Sequence, residues 1–268
     1  MANNLLNGKR GVIFGALDEK SIAWKIAERC VEEGASITLT NAPVAMRFGT
    51  IKELGEKLNA EIIPADATKD EDLDHLFTKS MEILGGKIDF VCHAIGMSVN
   101  VRKGRDYTDL RYDWMQKTLD VSAISFHRVM QSLWKLDAMS EWGSILALSY
   151  IAAQRTFPDY SEMAESKALL ESFARSFGYH WAKRKVRVNT VSQSPTMTTA
   201  GSGVKGFDEF FGYAEKMSPL GNASALACAD YCLSLFSDLT RMVTMQNLFH
   251  DGGFSSMGLN PAVIGLEE

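Results

Sequence analysis

Short apolar runs rich in β-branched or aromatic residues recur along the chain at positions 11–14, 36–40, 61–65, 88–92, 144–148, 186–191 and 245–250. Longer amphipathic segments separate them. Between the first two runs, Ile22, Ile26 and Cys30 recur at every fourth position beside Ala23, Ala27 and Val31, and Gly34 follows where a left-handed C-terminal cap is wanted. Further helical patterns cover 114–136, 160–183 and 223–236. Seven strands interleaved with helices predict an α/β chain: a Rossmann-type, doubly wound parallel sheet with helices on both faces. No repeat, low-complexity segment or Pro/Gly/Ser linker divides the sequence, so one domain over 1–268 is expected, with one long loop at 193–206.

Composition narrows what such a fold could act on. A chain of 268 residues, 46% hydrophobic, can bury one substantial core. Its net charge of −5 is spread without a basic block, which excludes a nucleic-acid or anionic-membrane footprint and favours a small-molecule or acyl-carrier substrate. There is no run of eighteen apolar residues, and the first ten lack a basic stretch followed by an apolar one, so a cytoplasmic protein without a membrane partner is expected. Cys30, Cys92, Cys228 and Cys232 form no C-x-x-C pair and read as buried, reduced thiols, with no metal site.

Candidate chemistry begins at the first strand-to-helix turn, where free backbone N–H groups and the helix dipole attract a pyrophosphate. Gly15 permits the tight turn, and Ser21, just before Ile22, suits a helix cap or a phosphate contact. The three-glycine fingerprint is missing, so taken alone this is equally an ordinary turn and cap. Asp66 and Ala67 end the third strand, where a carboxylate can receive an adenine amino group. The segment 93–96 ends the fourth, where small residues admit a ribose. His93, beside Ala94 and Gly96, reads as a packed, hydrogen-bonded histidine and not as an acid or base. After the second strand, Asn41-Ala42-Pro43 offers neither the acidic residue that holds a ribose 2′-hydroxyl nor the basic one that holds a 2′-phosphate, although Arg47 is close.

The segment 149–167 is the most informative, because it supplies Tyr150, Tyr160 and Lys167. Tyr160 and Lys167 are seven positions apart, so a helix starting near Tyr160 would put both on one face. The residue four before Lys167 is Met163, which cannot donate a proton, so the Tyr-x-x-x-Lys pair of carbonyl reductases is absent. In conjugate reduction the hydride goes to Cβ and charge appears on the thioester oxygen, so the donor must move outward by about 2 Å. A phenol displaced from position 163 to 160 supplies such a shift.

Together, Gly15 with Ser21-Ile22-Ala23, Asp66, 93–96, Ser149-Tyr150, 158–167, Val186-Arg187-Val188-Asn189 and 250–254 resemble the FabI-type enoyl-acyl carrier protein reductases. These are a divergent branch of the short-chain dehydrogenase superfamily, and the likeness runs from Lys9 to about Met257. The resemblance implies that Tyr160 donates to the enolate oxygen, that Lys167 holds the nicotinamide ribose hydroxyls, and that Tyr150 lines the substrate site. It further implies cofactor contacts from Gly15, Ser21, Ile22, Asp66, Ala67, Ile95, Gly96, Thr196 and Thr198, with Ala42 at the ribose-selecting position. Met97, Phe207 and Phe210 join the tyrosines as candidate substrate contacts. NADH is expected, with NADPH possible, because basic pairs are absent. The implied partners are acyl carrier protein bearing the enoyl chain and three further copies of the chain in a homotetramer, joined through the last strand and its neighbouring helix. Segment 196–217, with its glycines and phenylalanines, is a candidate lid over an acyl chain. Two rival readings stay open: a short-chain dehydrogenase of ketones or alcohols, and a dinucleotide-binding sensor without catalysis.

Overall fold

The computed structural model describes residues 3–199, 201–203 and 206–266. Seven parallel strands, β1 (Arg10–Phe14), β2 (Ser36–Thr40), β3 (Glu61–Ile62), β4 (Ile88–His93), β5 (Met139–Ser149), β6 (Arg187–Gln193) and β7 (Asn247–His250), form one sheet in the order β3-β2-β1-β4-β5-β6-β7. The order reverses between β1 and β4, which opens a crevice at the carboxyl ends of these strands.

Strand alternation sends side chains to two cores. Val12, Phe14, Val91, Ile145 and Ala147 face one layer, built from α3 (Asp70–Leu84), α6 (Ser125–Lys135) and α7 (Met163–Ala182), where Phe77, Phe126, Leu170 and Trp181 are buried. Ile13, Phe90, Cys92 and Leu146 face the other layer, built from α1 (Ile22–Glu32), α2 (Ile51–Leu58) and α9 (Ala225–Phe236). All four cysteines are free and buried, and all lie in this second core. Burying a leucine- or phenylalanine-sized side chain contributes about 1.5–3 kcal/mol, so the two faces together hold the sheet between its helices.

α1 forms as its apolar stripe requires, burying Ala23, Ile26, Ala27 and Cys30 against the sheet. It ends in paired bonds from Gly34 N to Val31 O at 3.0 Å and Ala35 N to Cys30 O at 3.0 Å. That closure needs the left-handed conformation Gly34 adopts, at φ 93°.

Several boundaries differ from the sequence reading. β3 covers only Glu61–Ile62, although Ile63 and Ala65 still donate to the carbonyls of Leu39 and Asn41; Pro64 between them turns its nitrogen to the free edge of the sheet, where no N–H is needed. Asp66 and Ala67 therefore sit in a turn beyond the strand. The helix expected over 114–136 is α5 (Tyr112–Leu119) and α6 joined through a π-helical turn, Asp120–Ile124. The helix expected from Tyr160 begins only at Met163. In the candidate lid, Phe207–Met217 forms a helix, α8, while Ala200, Val204 and Lys205 lie outside the described residues. No described helix is long and apolar enough to cross a membrane.

Candidate active site

The turn after β1 runs from Gly15, whose φ of 91° and close approach to its neighbour exclude any side chain: a Cβ there would lie 2.1 Å from the carbonyl oxygen of Ala94. Ser21 occupies the N-cap position of α1 but makes no capping bond. Its Oγ instead accepts from the N–H groups of Leu17 (3.1 Å) and Asp18 (3.0 Å) and donates to the Asp18 carbonyl. The hydroxyl is thus committed to shaping the turn, not to the helix. Asn41, unremarked as a contact from sequence, donates to the Ala16 carbonyl at 3.0 Å and so fastens the end of β2 to the same turn. A backbone cradle that only glycine permits, opening onto a helix N-terminus, fits a dinucleotide pyrophosphate.

A cavity of about 290 Å³ lies beside this turn, at the carboxyl ends of β4, β5 and β6. Its lining includes Ile22, Ile95, Gly96 and Met97, the side chains of Tyr150, Tyr160 and Lys167, and Thr196, Thr198, Phe207 and Phe210, with Lys167 Nζ 3.8 Å from where a Cβ on Gly96 would lie. Residues predicted for the cofactor's far end, Gly15, Ser21, Ala42, Asp66 and Ala67, do not line this cavity. They follow β1, β2 and β3 along the crevice instead. The Asp66 carboxylate accepts from the backbone and hydroxyl of Thr68, at 3.0 and 2.7 Å, which fixes its orientation there.

Tyr160 reaches the cavity by a route that the sequence spacing did not anticipate. It ends a short 3₁₀ turn, Pro158–Tyr160, and Ser161 then adopts φ 43°, ψ −142°, so the phenol stands off the helix that carries Lys167. A non-glycine residue in that region is strained by about 1–3 kcal/mol and persists only where its surroundings hold it. Tyr150 and Tyr160 nonetheless pack with ring centroids 5.1 Å apart, and Phe157 and Phe210 extend the aromatic cluster. The Tyr150 hydroxyl is buried without a hydrogen-bond partner, a polar tip in an apolar wall. Burial pushes both phenols well above the ordinary tyrosine range.

Lys167 is almost fully buried and donates to the Leu148 carbonyl at 2.8 Å. Desolvation pulls its ammonium down to about 8, partly opposed by the buried carboxylate of Glu171 on the same helix. His93 lies outside the cavity lining, packed between Phe14 and Phe126 with Nε2 2.8 Å from Ser125 Oγ. Burial, with the nearby Lys167 charge, lowers its pKa to about 3, so it is neutral.

Two further groups were missed by sequence reasoning as contacts. Gln193 lines the cavity and bridges Thr196 Oγ1 (3.2 Å), the Ala223 carbonyl (3.0 Å) and His250 Nδ1 (2.7 Å), so it braces the loop that begins at Ser194. Its signal was only that a long polar side chain opens the loop expected over 193–206. Asp18 Oδ2 accepts from Thr199 Oγ1 at 2.6 Å, which links the pyrophosphate turn to the loop across the crevice.

The arrangement can hold a dinucleotide along the strand ends and present its reactive ring to a substrate lying against two phenols and one ammonium. Known proteins resemble this chain over nearly its whole length. Residues 15–255 match a family described as enoyl-(acyl carrier protein) reductase. An enoyl-[acyl-carrier-protein] reductase [NADH] of Rhizobium meliloti is 35% identical over 260 residues, covering 96% of this chain and 94% of that protein. The FabI of Bacillus cereus is 30% identical, covering 95% of this chain and 99% of its own length. A crystal structure of a FabI-NADH complex from Alistipes finegoldii superposes with a TM-score of 0.97 at 64% identity, covering 99% of this chain and 94% of that one.

Proposed function

The chain belongs to the enoyl-(acyl carrier protein) reductase family, and from that premise we propose the role of each residue in the reduction of a trans-2-enoyl thioester to the saturated acyl thioester. The observation that carries this assignment is the convergence of Tyr160, Tyr150 and Lys167 on one cavity with no tyrosine at position 163. NADH, when bound, supplies the hydride. Ile22, Ile95 and the Gly15 turn hold its length along the crevice, and Lys167 binds the ribose hydroxyls beside the nicotinamide. Addition at Cβ leaves negative charge on the thioester oxygen, which the Tyr160 phenol meets with a hydrogen bond and the Lys167 ammonium offsets at short range in a low-dielectric pocket. Tyr150 and Met97 set the plane of the enoyl group. Phe207 and Phe210 on α8, within a lid spanning 196–217, cover the acyl chain and exclude water.

The donor of the enoyl chain is acyl carrier protein, and the enzyme works in the cytoplasm as a homotetramer. One polypeptide domain carries the whole reaction.

The decisive test is oxidation of NADH and NADPH, followed at 340 nm, with crotonyl and acetoacetyl thioesters offered in parallel. Turnover of crotonyl alone supports the enoyl reductase. Turnover of acetoacetyl alone would establish a carbonyl reductase, and cofactor binding without turnover of either would establish a sensor.

A further inference from the structure

Glu162 is completely buried, and the reaction described above makes no use of it. Its Oε1 accepts three hydrogen bonds, from Ser98 Oγ at 2.7 Å, Thr118 Oγ1 at 2.7 Å and Asn100 Nδ2 at 3.1 Å, while Oε2 is buried without a partner. All three donors are neutral side chains from the segments that follow β4, not from the segment that carries Tyr160. Ser98 follows the cavity-lining Met97 and caps α4 (Val99–Arg102) through Val101 N; Asn100 lies on α4 and Thr118 on α5. Asn100 is itself tied to Arg111, donating to its carbonyl and accepting from its N–H, each at 3.2 Å. Ser122 Oγ holds Met97 further, accepting from its N–H at 2.9 Å and donating to its carbonyl at 3.1 Å.

A buried carboxylate served only by neutral donors is poorer for stability than an apolar side chain of similar volume, so packing alone does not account for it. What it adds is direction. Glu162 follows Ser161, the residue held at φ 43°, and stands two positions after Tyr160. A strained turn keeps its shape only when fixed from outside, and the three-donor lock on Glu162 is such a fixture. We infer that Glu162 is a positioning residue: its Oε1 clamps the Tyr160 turn to the Met97 and Ser98 wall, so that the phenol and the surface supporting the substrate keep one spacing. This rests on the enoyl reductase reading, since it requires Tyr160 to act on the substrate.

The test uses the full-length protein with crotonyl thioester and NADH, together with NADH affinity from nucleotide fluorescence. Glu162→Ala should lower kcat by about 10- to 100-fold, the scale of a misplacement near 1 Å, with the NADH Kd within about twofold of wild type. Glu162→Gln, which keeps an oxygen for the three donors, should recover kcat to within about fivefold of wild type. If the alanine variant fails to fold, the double variant Ser98→Ala/Thr118→Val decides, with an expected kcat loss of about three- to tenfold and unchanged NADH affinity. Three results overturn the assignment: wild-type kcat in the folded Glu162→Ala protein or in the double variant, parallel losses of kcat and NADH affinity, or a glutamine variant as defective as the alanine one. Lack of crotonyl turnover by the wild type would instead sink the enoyl reductase reading, and this role with it.

Discussion

Replacing Lys167 by methionine removes a charge from a place that resists it, and the effect on stability should vary with pH in a defined way. Burial holds the Lys167 ammonium at about 8 in the folded protein against an ordinary value of 10.5. That gap corresponds to about 3 kcal/mol of penalty on the charged form. Below pH 8 the amine is protonated in both the folded and the unfolded chain, and the whole penalty is present. Between pH 8 and 10.5 the folded chain has released the proton while the unfolded chain retains it, so the wild type gains stability as pH rises.

Relative to Lys167→Met, the wild type should therefore gain about 2 kcal/mol between pH 7 and pH 9.5. The lost bond to the Leu148 carbonyl, about 1.5–3 kcal/mol for a charged donor, offsets the two proteins equally at every pH below 8 and does not create the slope. The groups facing Lys167, namely Glu171 on its own helix, His93 on β4 and the Tyr160 phenol, remain in both proteins, so their direct titrations largely cancel in the difference. The assay is urea denaturation of both proteins without cofactor, at pH 7 and 9.5 and one protein concentration. A stability difference that is flat across this interval would refute the reasoning, because it would mean that burial does not depress the amine.

Other consequences follow from the same geometry. Gly15→Ala places a methyl group 2.1 Å from the Ala94 carbonyl oxygen at a positive φ, so NADH affinity should fall at least about tenfold by fluorescence titration, and unfolding should shift to lower temperature. Tyr160→Phe should lower kcat about 10²- to 10⁴-fold while leaving the NADH Kd within about twofold, as measured by steady-state kinetics beside a binding titration. Phe207→Ala and Phe210→Ala should change the ratio of kcat/KM for long against short enoyl thioesters; an unchanged ratio would count against a covering role for α8.

Most of the fold was legible because strand and helix periods are properties of the chain itself. The stripe of Ile22, Ile26 and Cys30 and the cap at Gly34 predict α1 to within a residue, and its buried face agrees. Boundaries failed where a single backbone feature decided them. The π-helical turn at Asp120–Ile124, which splits the helix expected over 114–136, has no signature in hydrophobic periodicity. Site residues were legible as types and positions but not as partners. The separation of Tyr160 from Lys167 suggested one helical face, whereas the turn at Ser161 takes Tyr160 off the helix, and nothing local in Tyr-Ser-Glu-Met announces a positive φ at a serine. The Glu162 cluster is less legible still, because its donors lie 44 to 64 residues away in sequence.

The directions in which burial moves the titrating groups also decide which proton limits the reaction. Both phenols are pushed up and Lys167 is pulled down, so in the free enzyme the ammonium is the first of the three to lose its proton as pH rises. Tyr160 stays protonated throughout the working range, and a phenol made less acidic serves the developing enolate first as a hydrogen-bond donor. On the acid side, His93 is held neutral at about 3 and imposes no limb near neutrality. The pH profile of kcat/KM, which reports the free enzyme, should accordingly be level from about pH 6 to 7 and fall with an apparent pKa close to that of Lys167, about 8. A fall centred above about pH 10 would put the limiting proton on a phenol or on an ordinary lysine, and would refute the assignment of the alkaline limb to a desolvated Lys167.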